Sequence, residues 1–227
     1  MTAEPAAPQD FWSTLGPVDA AELAALGKPR AYVRGHTLFH EGQLADRVML
    51  VRRGRVKVTS TTSTGREVLL AFRGPGDLVG DLAALDGGPR SATIRTVEEV
   101  EALAFVLHDF REFLAARPAV LLLLLQMLGR RLRDADAKVI EFSAFTTIER
   151  VATRLLEFSE RFGEEQDGTV RIALPLSQEE LAGATGSSLE SVGRALQTMR
   201  TLKCVETRRR EIRILDAQAL RALRSER

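Results

Sequence analysis

The stretch LSQEELAGATGSSLESVGRALQTMR, Leu176 to Arg200, decides how this chain is read. Ser177 and Glu180 have the spacing of a capping box, in which a hydroxyl and a carboxylate satisfy the free N–H groups of a first helical turn. A short helix, QEELAGA, follows, and Gly186 supplies a tight turn. Ser187 with Glu190 has the same spacing and opens a second helix, LESVGRALQTMR. Leu181, Ala182, Val192 and Leu196 form the apolar inner face, and Glu190, Ser191, Arg194 and Gln197 are left to solvent. Two short helices joined by a glycine-bearing turn make a helix-turn-helix.

An α-helix fits the major groove and presents its N-terminal half to base edges. Arg194 suits guanine O6 and N7 as a bidentate donor, and Glu190 can accept from cytosine N4; each such contact is worth ~1–3 kcal/mol of discrimination. Ser177, Gln178, Ser188 and Ser191, at the helix starts, are the expected contacts beside the phosphates. The competing reading is a plain helical hairpin, with Glu190 and Arg194 as an (i, i+4) ion pair on a solvated face. The next segment, CVETRRREIRIL, favours DNA. Its alternation predicts a β-hairpin with Arg208, Arg209 and Arg210 at the tip, a wing suited to the DNA backbone. Its plain reading is a solvated charge cluster.

Upstream, PAVLLLLLQMLGRRLRDADAKVIEF predicts a long helix starting at Pro118, where a missing N–H costs nothing. Leu121, Leu125, Leu128, Leu132, Ala135, Val139 and Phe142 form a seam of about three heptads, the pattern of a coiled coil. Leu122, Leu123 and Leu124 suggest a second buried face. The expectation is one face on the chain's own core and the seam on a partner helix. Thr146 with Glu149 is a further capping box, opening a helix to about Phe162. GEEQDG reads as a loop.

The first half is strand-like, with runs such as RVMLVRRGRVKVTST and REVLLAFRGPGDLVGD. Gly54, Gly65, Gly74 and Gly76 recur among them, which suggests a meander or barrel of short strands. The chain has 227 residues, 44% hydrophobic and 28% charged, with a net charge of +1. That composition is ordinary for a soluble protein, and any anionic partner must meet a local patch. The single cysteine, Cys204, excludes an internal disulfide and a cysteine-based zinc or iron–sulfur site, and fits a reducing cytoplasm. The N-terminal ten residues read as a disordered tail without signal-peptide features. The longest apolar run is far short of the ~20 residues that span a bilayer, so no membrane partner is expected. Nothing points to an enzyme: Ser91 has no histidine nearby, no G-x-S-x-G elbow occurs, and no metal-ligand cluster is visible.

One stretch carries chemistry of another kind. VGDLAALDGGPRSATIRT, Val79 to Thr96, sets Asp81 and the pair Arg90-Ser91 at the two ends of a short glycine-bearing segment. The residues allow a loop with solvated charges, or a site for a small anion that also carries hydroxyls.

The order β-roll, long helix, winged helix-turn-helix resembles the catabolite-activator / fumarate-nitrate-regulator (Crp/Fnr) family of bacterial transcription factors. The residues that carry the likeness are EGQLADRVMLVRRGRVKV, GPGDLVGDLAAL, PRSAT, GRRL with the later KV, and GSSLESVGRALQTM. The resemblance implies an α+β chain: a cyclic-nucleotide-binding roll over residues 11–117, a dimerisation helix over 118–142 and a DNA-binding domain over 143–227. It makes the segment from Gly80 a phosphate-binding cassette. Arg90 and Ser91 would hold the phosphate of a cyclic nucleotide such as cyclic AMP, and Asp81 would accept from the ribose 2′-hydroxyl. Gly80, Asp81 and Leu82 would offer backbone N–H groups, and Asp136 an acceptor for an exocyclic amine. Double-stranded DNA with a near-palindromic operator, a second copy of the chain and RNA polymerase are the implied partners.

The chain departs from the family pattern at four places. Asp81 stands where cyclic-nucleotide binders usually have glutamate, shortening the reach by ~1.5 Å. Ala135-Asp136 stands for a Thr-Ser pair, Leu189 for an arginine, and Glu179 for a glutamine. These leave a second reading open, a regulator of the same kind that acts without a cyclic nucleotide. The iron–sulfur branch needs more cysteines, and His36, His40 and His108 fall in no haem pattern, so no metal, haem or cluster is expected.

Overall fold

The computed structural model describes residues 10–65, 67–208 and 210–224. The tail expected over residues 1–10 therefore lies outside the described residues except for Asp10, whose carboxylate accepts from the Ser13 N–H at 2.8 Å. Two compact units form, one of residues up to Thr61 with Leu70–Arg133, the other of Thr62–Leu69 with Asp134 onward.

The first unit opens with a 3-10 turn, Trp12–Thr14, and helix α1, Pro17–Leu26. Strands β1 (Lys28–Tyr32), β2 (Thr37–Phe39), β3 (Arg47–Arg53), β4 (Val56–Thr61), β5 (Glu67–Arg73) and β6 (Leu78–Val79) lead to the short helix α2 (Asp81–Asp86). Strands β7 (Thr93–Thr96) and β8 (Val100–Val106), helix α3 (Leu107–Ala116) and the long helix α4 (Pro118–Ala144) follow.

The strands form two four-stranded sheets, β1-β8-β3-β6 and β2-β7-β4-β5. A meander does not form, because β1 pairs with β8 and β2 with β7 across most of the domain. The physical reason lies in β3. Val48, Met49, Leu50 and Val51 are all buried, so this strand must be covered on both faces. Met49 and Val51 point to the core between the sheets, with Phe39, Val56, Val79 and Ile94. Val48 and Leu50 point the other way, onto Phe110, Phe113 and Leu114 of α3 and Val120, Leu124 and Met127 of α4. The continuously buried strand and one face each of α3 and α4 thus share one layered core.

Helix α4 begins at Pro118, as its sequence predicts. Its buried face is Val120, Leu124 and Met127, with Leu121 and Leu128 partly packed on the same core. Of the three leucines expected on a second buried face, Leu124 is buried and Leu123 half-buried, whereas Leu122 is exposed, which corrects the expectation at that residue. Consecutive leucines cannot all point inward at about 100° per residue. Leu125, Leu132, Val139 and Phe142 of the seam are also exposed.

The second unit contains α5 (Thr147–Phe162), β9 (Gly163–Gln166), β10 (Thr169–Ile172), α6 (Gln178–Ala184), α7 (Leu189–Thr201), β11 (Val205–Arg208), β12 (Glu211–Ile214) and α8 (Ala217–Ala222). The Thr146 N–H donates to Glu149 Oε2 at 2.7 Å, the contact that opens α5. Val151, Leu155 and Leu156 of α5 supply its core with Val192 and Leu196 of α7.

The segment read as a loop, GEEQDG, is instead strand β9 with the turn to β10. Gly163 to Gln166 pair with Ile172 to Thr169. Asp167 and Gly168 both have positive φ, at 50° and 72°, the conformation of a two-residue hairpin turn. The Asp-Gly signal was present; the polar run around it hid a strand that is exposed at every position. The sheet order is β11-β12-β10-β9, so the wing hairpin is half of a four-stranded sheet. The architecture is α+β, with an N-terminal β-sheet domain, a long helix and a C-terminal helix-turn-helix with its wing.

Candidate effector cassette and nucleic-acid interface

The cassette is built where β6 turns into α2. Gly80 sits there at φ +78°, and a Cβ on it would meet Arg90 Nη1 at 2.5 Å and the Phe39 ring at 2.9 Å. Glycine is needed both for the backbone and for the close approach of the guanidinium. Asp81, the next residue, is only 4% exposed. Its Oδ2 accepts from Arg131 Nη1 at 2.8 Å, and Arg131 Nη2 donates to the Leu78 carbonyl at 3.1 Å. Arg131 comes from α4, which therefore clamps the end of β6 and the start of α2 together.

Arg90 is also 4% exposed. Nη1 donates to the Gly80 carbonyl at 3.1 Å, and Nη2 to the Arg47 carbonyl at 2.6 Å and Asp46 Oδ1 at 3.3 Å. Its Cζ lies 3.8 Å from the centre of the Phe39 ring. Nε is buried and has no hydrogen-bond partner among the described residues. Burial draws the Arg90 pKa down while Asp46 holds it up, and a guanidinium stays charged throughout. Partial burial pushes the Asp46 carboxyl up, but Arg47 and Arg90 bring it below its ordinary value. The main chain of Arg90 is fixed too: its N–H donates to the Gln43 carbonyl and its carbonyl accepts from Gly42 N–H, both at 2.8 Å.

The structure thus brings Gly80, Asp81 and Arg90 together. Leu82 and Ser91 are exposed beside them. Asp136 is exposed on the part of α4 that belongs to the second unit. Sequence reasoning missed Arg131, Asp46 and Phe39. For Arg131 a signal existed, a charge doublet, Arg130-Arg131, directly after the apolar first half of the helix. Asp46 and Phe39 are found only by tracing what surrounds Arg90.

In the second unit, α6 opens with the expected box: Glu180 N–H to Ser177 Oγ at 3.1 Å, and Ser177 N–H to Glu180 Oε2 at 2.9 Å. Gly186 makes the turn at φ +59°. The cap of α7 differs from expectation by one residue. Ser188 is the N-cap, accepting from Ser191 N–H at 3.1 Å. Ser187 is buried instead, donating to the Thr185 carbonyl at 3.2 Å and accepting from Arg150 Nη2 at 3.1 Å. Packing on Arg150 withdraws the first serine and leaves the second to cap.

Glu190 is thereby released from capping and pairs with Arg194 at 2.8 Å, with both side chains exposed. This is the ion pair that the plainer reading anticipated, and it leaves both groups presented on one face of α7. Gln178 and Ser188 are exposed and Ser177 is half-buried. In the wing, Arg208 is exposed and contacts Glu206 at 3.0 Å. Arg210 takes the turn at φ +59°. Arg209, also expected at the backbone contact, lies outside the described residues. Arg200 Nη1 donates to Thr207 Oγ1 at 2.7 Å, fixing the wing to the end of α7.

Among the described residues no cluster of His, Cys, Asp and Glu is arranged to hold a metal ion. No single described helix is long and apolar enough to cross a membrane.

Comparison with known proteins agrees with this anatomy. Residues 29–117 match the family model of the cyclic nucleotide-binding domain, and residues 149–223 that of the Crp-like helix-turn-helix domain. The chain is 34% identical over 206 residues to a "CRP-like cAMP-activated global transcriptional regulator" of Mycobacterium tuberculosis, covering 89% of this chain and 92% of that one. It is 36% identical over 174 residues to the "Cyclic AMP receptor protein" of Thermus thermophilus, covering 75% and 76%. Among solved structures, FixK2 from Bradyrhizobium japonicum superposes with a TM-score of 0.76 at 26% identity, over 88% of this chain and 98% of that one. A cyclic-nucleotide-binding domain, a long helix and a winged helix-turn-helix in one chain, with a relative this similar over nearly its whole length, place the protein in the Crp/Fnr family of DNA-binding transcription regulators.

Proposed function

We propose that this regulator is a homodimer whose DNA binding is gated by a small anionic effector, with a cyclic nucleotide such as cyclic AMP as the favoured ligand. The observation that carries the effector reading is Arg90, a buried guanidinium beside a buried carboxylate, with one N–H left without a partner. A buried donor without an acceptor is costly, and a phosphate oxygen would satisfy it. Ser91 adds a hydroxyl donor, the Gly80–Leu82 backbone adds N–H groups, and Asp81 keeps Oδ1 for a ribose hydroxyl. Asp136 is proposed for the base. The names of the two relatives, one cyclic-AMP-activated and one a cyclic AMP receptor, point the same way.

Dimerisation is supported by the exposed stripe Leu125, Leu132 and Val139 on α4, residues that a second copy would cover. Two reading helices spaced about one turn of DNA, ~34 Å, then call for a near-palindromic operator. Ser177, Gln178, Ser188, Ser191, Arg208 and Arg209 would meet the backbone, with Glu190 and Arg194 on the bases. The effector acts by favouring the dimer geometry with that spacing. RNA polymerase is the further partner, in the cytoplasm.

A second reading has its own support. Arg90 is already held by Asp46, Arg47 and Gly80, and Asp81 by Arg131, so the protein itself provides most of what a nucleotide would. On this reading the roll is a fixed scaffold and the dimer binds DNA unaided. Calorimetry with cyclic AMP, cyclic GMP and cyclic di-GMP decides. Saturable binding by the wild type that Arg90→Ala abolishes supports gating; no heat from any of the three supports the scaffold.

A further inference from the structure

Strand β2 carries an irregularity of register. Thr37 lies opposite Arg95, but Phe39 lies opposite Ile94, one residue out of step with regular pairing. Such a β-bulge re-aims the side chains beside it. Phe39, just past the shift, is turned inward and only 3% exposed. Its ring packs in the core between the sheets with Met49, Val51, Val79 and Ile94. It also carries a charge, because Arg90 Cζ lies 3.8 Å from its centre. A contact of the same kind, Arg52 over Trp12, is longer at 4.3 Å, and its arginine is exposed. Arg90 thus rests a buried cation directly on the apolar core.

The Gly80 and Arg47 carbonyls and Asp46 accept from Nη1 and Nη2, the donors at the rim of the guanidinium, and leave its face bare. An aliphatic floor would offer a desolvated cation nothing, whereas the π face of an aromatic ring attracts it. Gly80 makes room for the stack, since a Cβ there would crowd both Arg90 Nη1 and the Phe39 ring. We propose that Phe39 is a positioning residue for the effector: its ring holds the Arg90 guanidinium at the depth and tilt from which the buried Nε–H meets a phosphate oxygen. Without the ring, the guanidinium gains by moving outward to water and to Asp46, whose side chain is 61% exposed. Binding must then restore the inward arrangement, and apparent affinity falls with the fraction of molecules that hold it. This rests on the reading of Arg90 as the phosphate site.

The test is calorimetry of full-length protein with cyclic AMP. Phe39→Leu keeps an apolar core side chain and removes the ring, and Kd is expected to rise about tenfold. Should that variant fold poorly, a second series keeps the test open. Position 39 is filled with mono-, di- and trifluorinated phenylalanine, which nearly preserve the shape of the ring and drain its π face step by step. Kd rises at each step, a dependence that lost packing would not produce. The factor is the same for every cyclic nucleotide that the wild type binds, because the contact acts through the phosphate and not the base. A Kd that stays constant along the fluorinated series, or a folded Phe39→Leu variant that binds like the wild type, overturns the proposal. A wild type that binds no cyclic nucleotide instead sinks the effector reading of Arg90, and this proposal with it.

Discussion

A carboxylate withdrawn from water needs a countercharge, and Asp81 finds one in Arg131. The aspartate's shorter reach has a direct counterpart here: the acid is turned towards α4, where a guanidinium also takes the Leu78 carbonyl. Arg131→Ala leaves Asp81 and that carbonyl without their donor, and the expected cost is about 1–3 kcal/mol, read from urea unfolding of the full chain. The Arg131→Ala, Asp81→Asn double variant recovers part of the loss, because the buried charge goes with its partner. Cys204 makes a contrasting case. Burial, and next the charge of Asp216, push its thiol above the ordinary value, and its surface is 1% exposed. Thiolate is the reactive form, so iodoacetamide at pH 7.5 should label native protein slowly and urea-unfolded protein rapidly. Rapid labelling of the native chain would contradict this burial.

At the scale of the element, one-residue choices set what a helix presents. Because Ser188 rather than Ser187 caps α7, Glu190 is free to stand beside Arg194. Ser188→Ala is expected to destabilise the DNA-binding unit by about 1 kcal/mol, and Ser187→Ala to act instead through the buried contact with Arg150. Helix α4 has two apolar faces, only one of which its own chain covers. Leu132 is 64% exposed, so Leu132→Glu should leave the helical signal intact while shifting sedimentation from dimer to monomer. A variant that remains dimeric would place the interface elsewhere. The β9–β10 hairpin depends on a different local rule. Gly168 has open space around its Cα but φ +72°, so Gly168→Ala costs stability through backbone strain alone.

For the whole molecule the relevant quantity is a coupling free energy between roll and reading helices. If cyclic AMP tightens operator binding by some factor, operator DNA must tighten cyclic AMP binding by the same factor. Parallel titrations of effector with and without operator, and of operator with and without effector, check this equality. Unequal factors at equilibrium would mean that a third species, such as a change in oligomer, is linked to one of the two. With a net charge of only +1, the salt dependence of DNA binding should track the local contacts. Losing Arg208 should lower the slope of log K against log salt by about 1 and leave sequence preference unchanged.

The sequence alone settled what local rules govern. Capping residues marked the starts of α5 and α6, Gly186 marked the turn, and Pro118 the first residue of α4. Alternation gave the wing, and the order of the parts gave the family resemblance. Each signal lies within a few residues, where spacing translates directly into geometry. The sequence also singled out Arg90 and Asp81. Their partners came only with the fold, since Asp46, Phe39 and Arg131 are distant in the chain and meet the cassette through sheet pairing and the packing of α4. Likewise β9 has no apolar face to betray it, and the choice between Ser187 and Ser188 turned on a buried arginine from another helix. Contacts between residues far apart in sequence leave no periodic trace, so tertiary packing alone determined them.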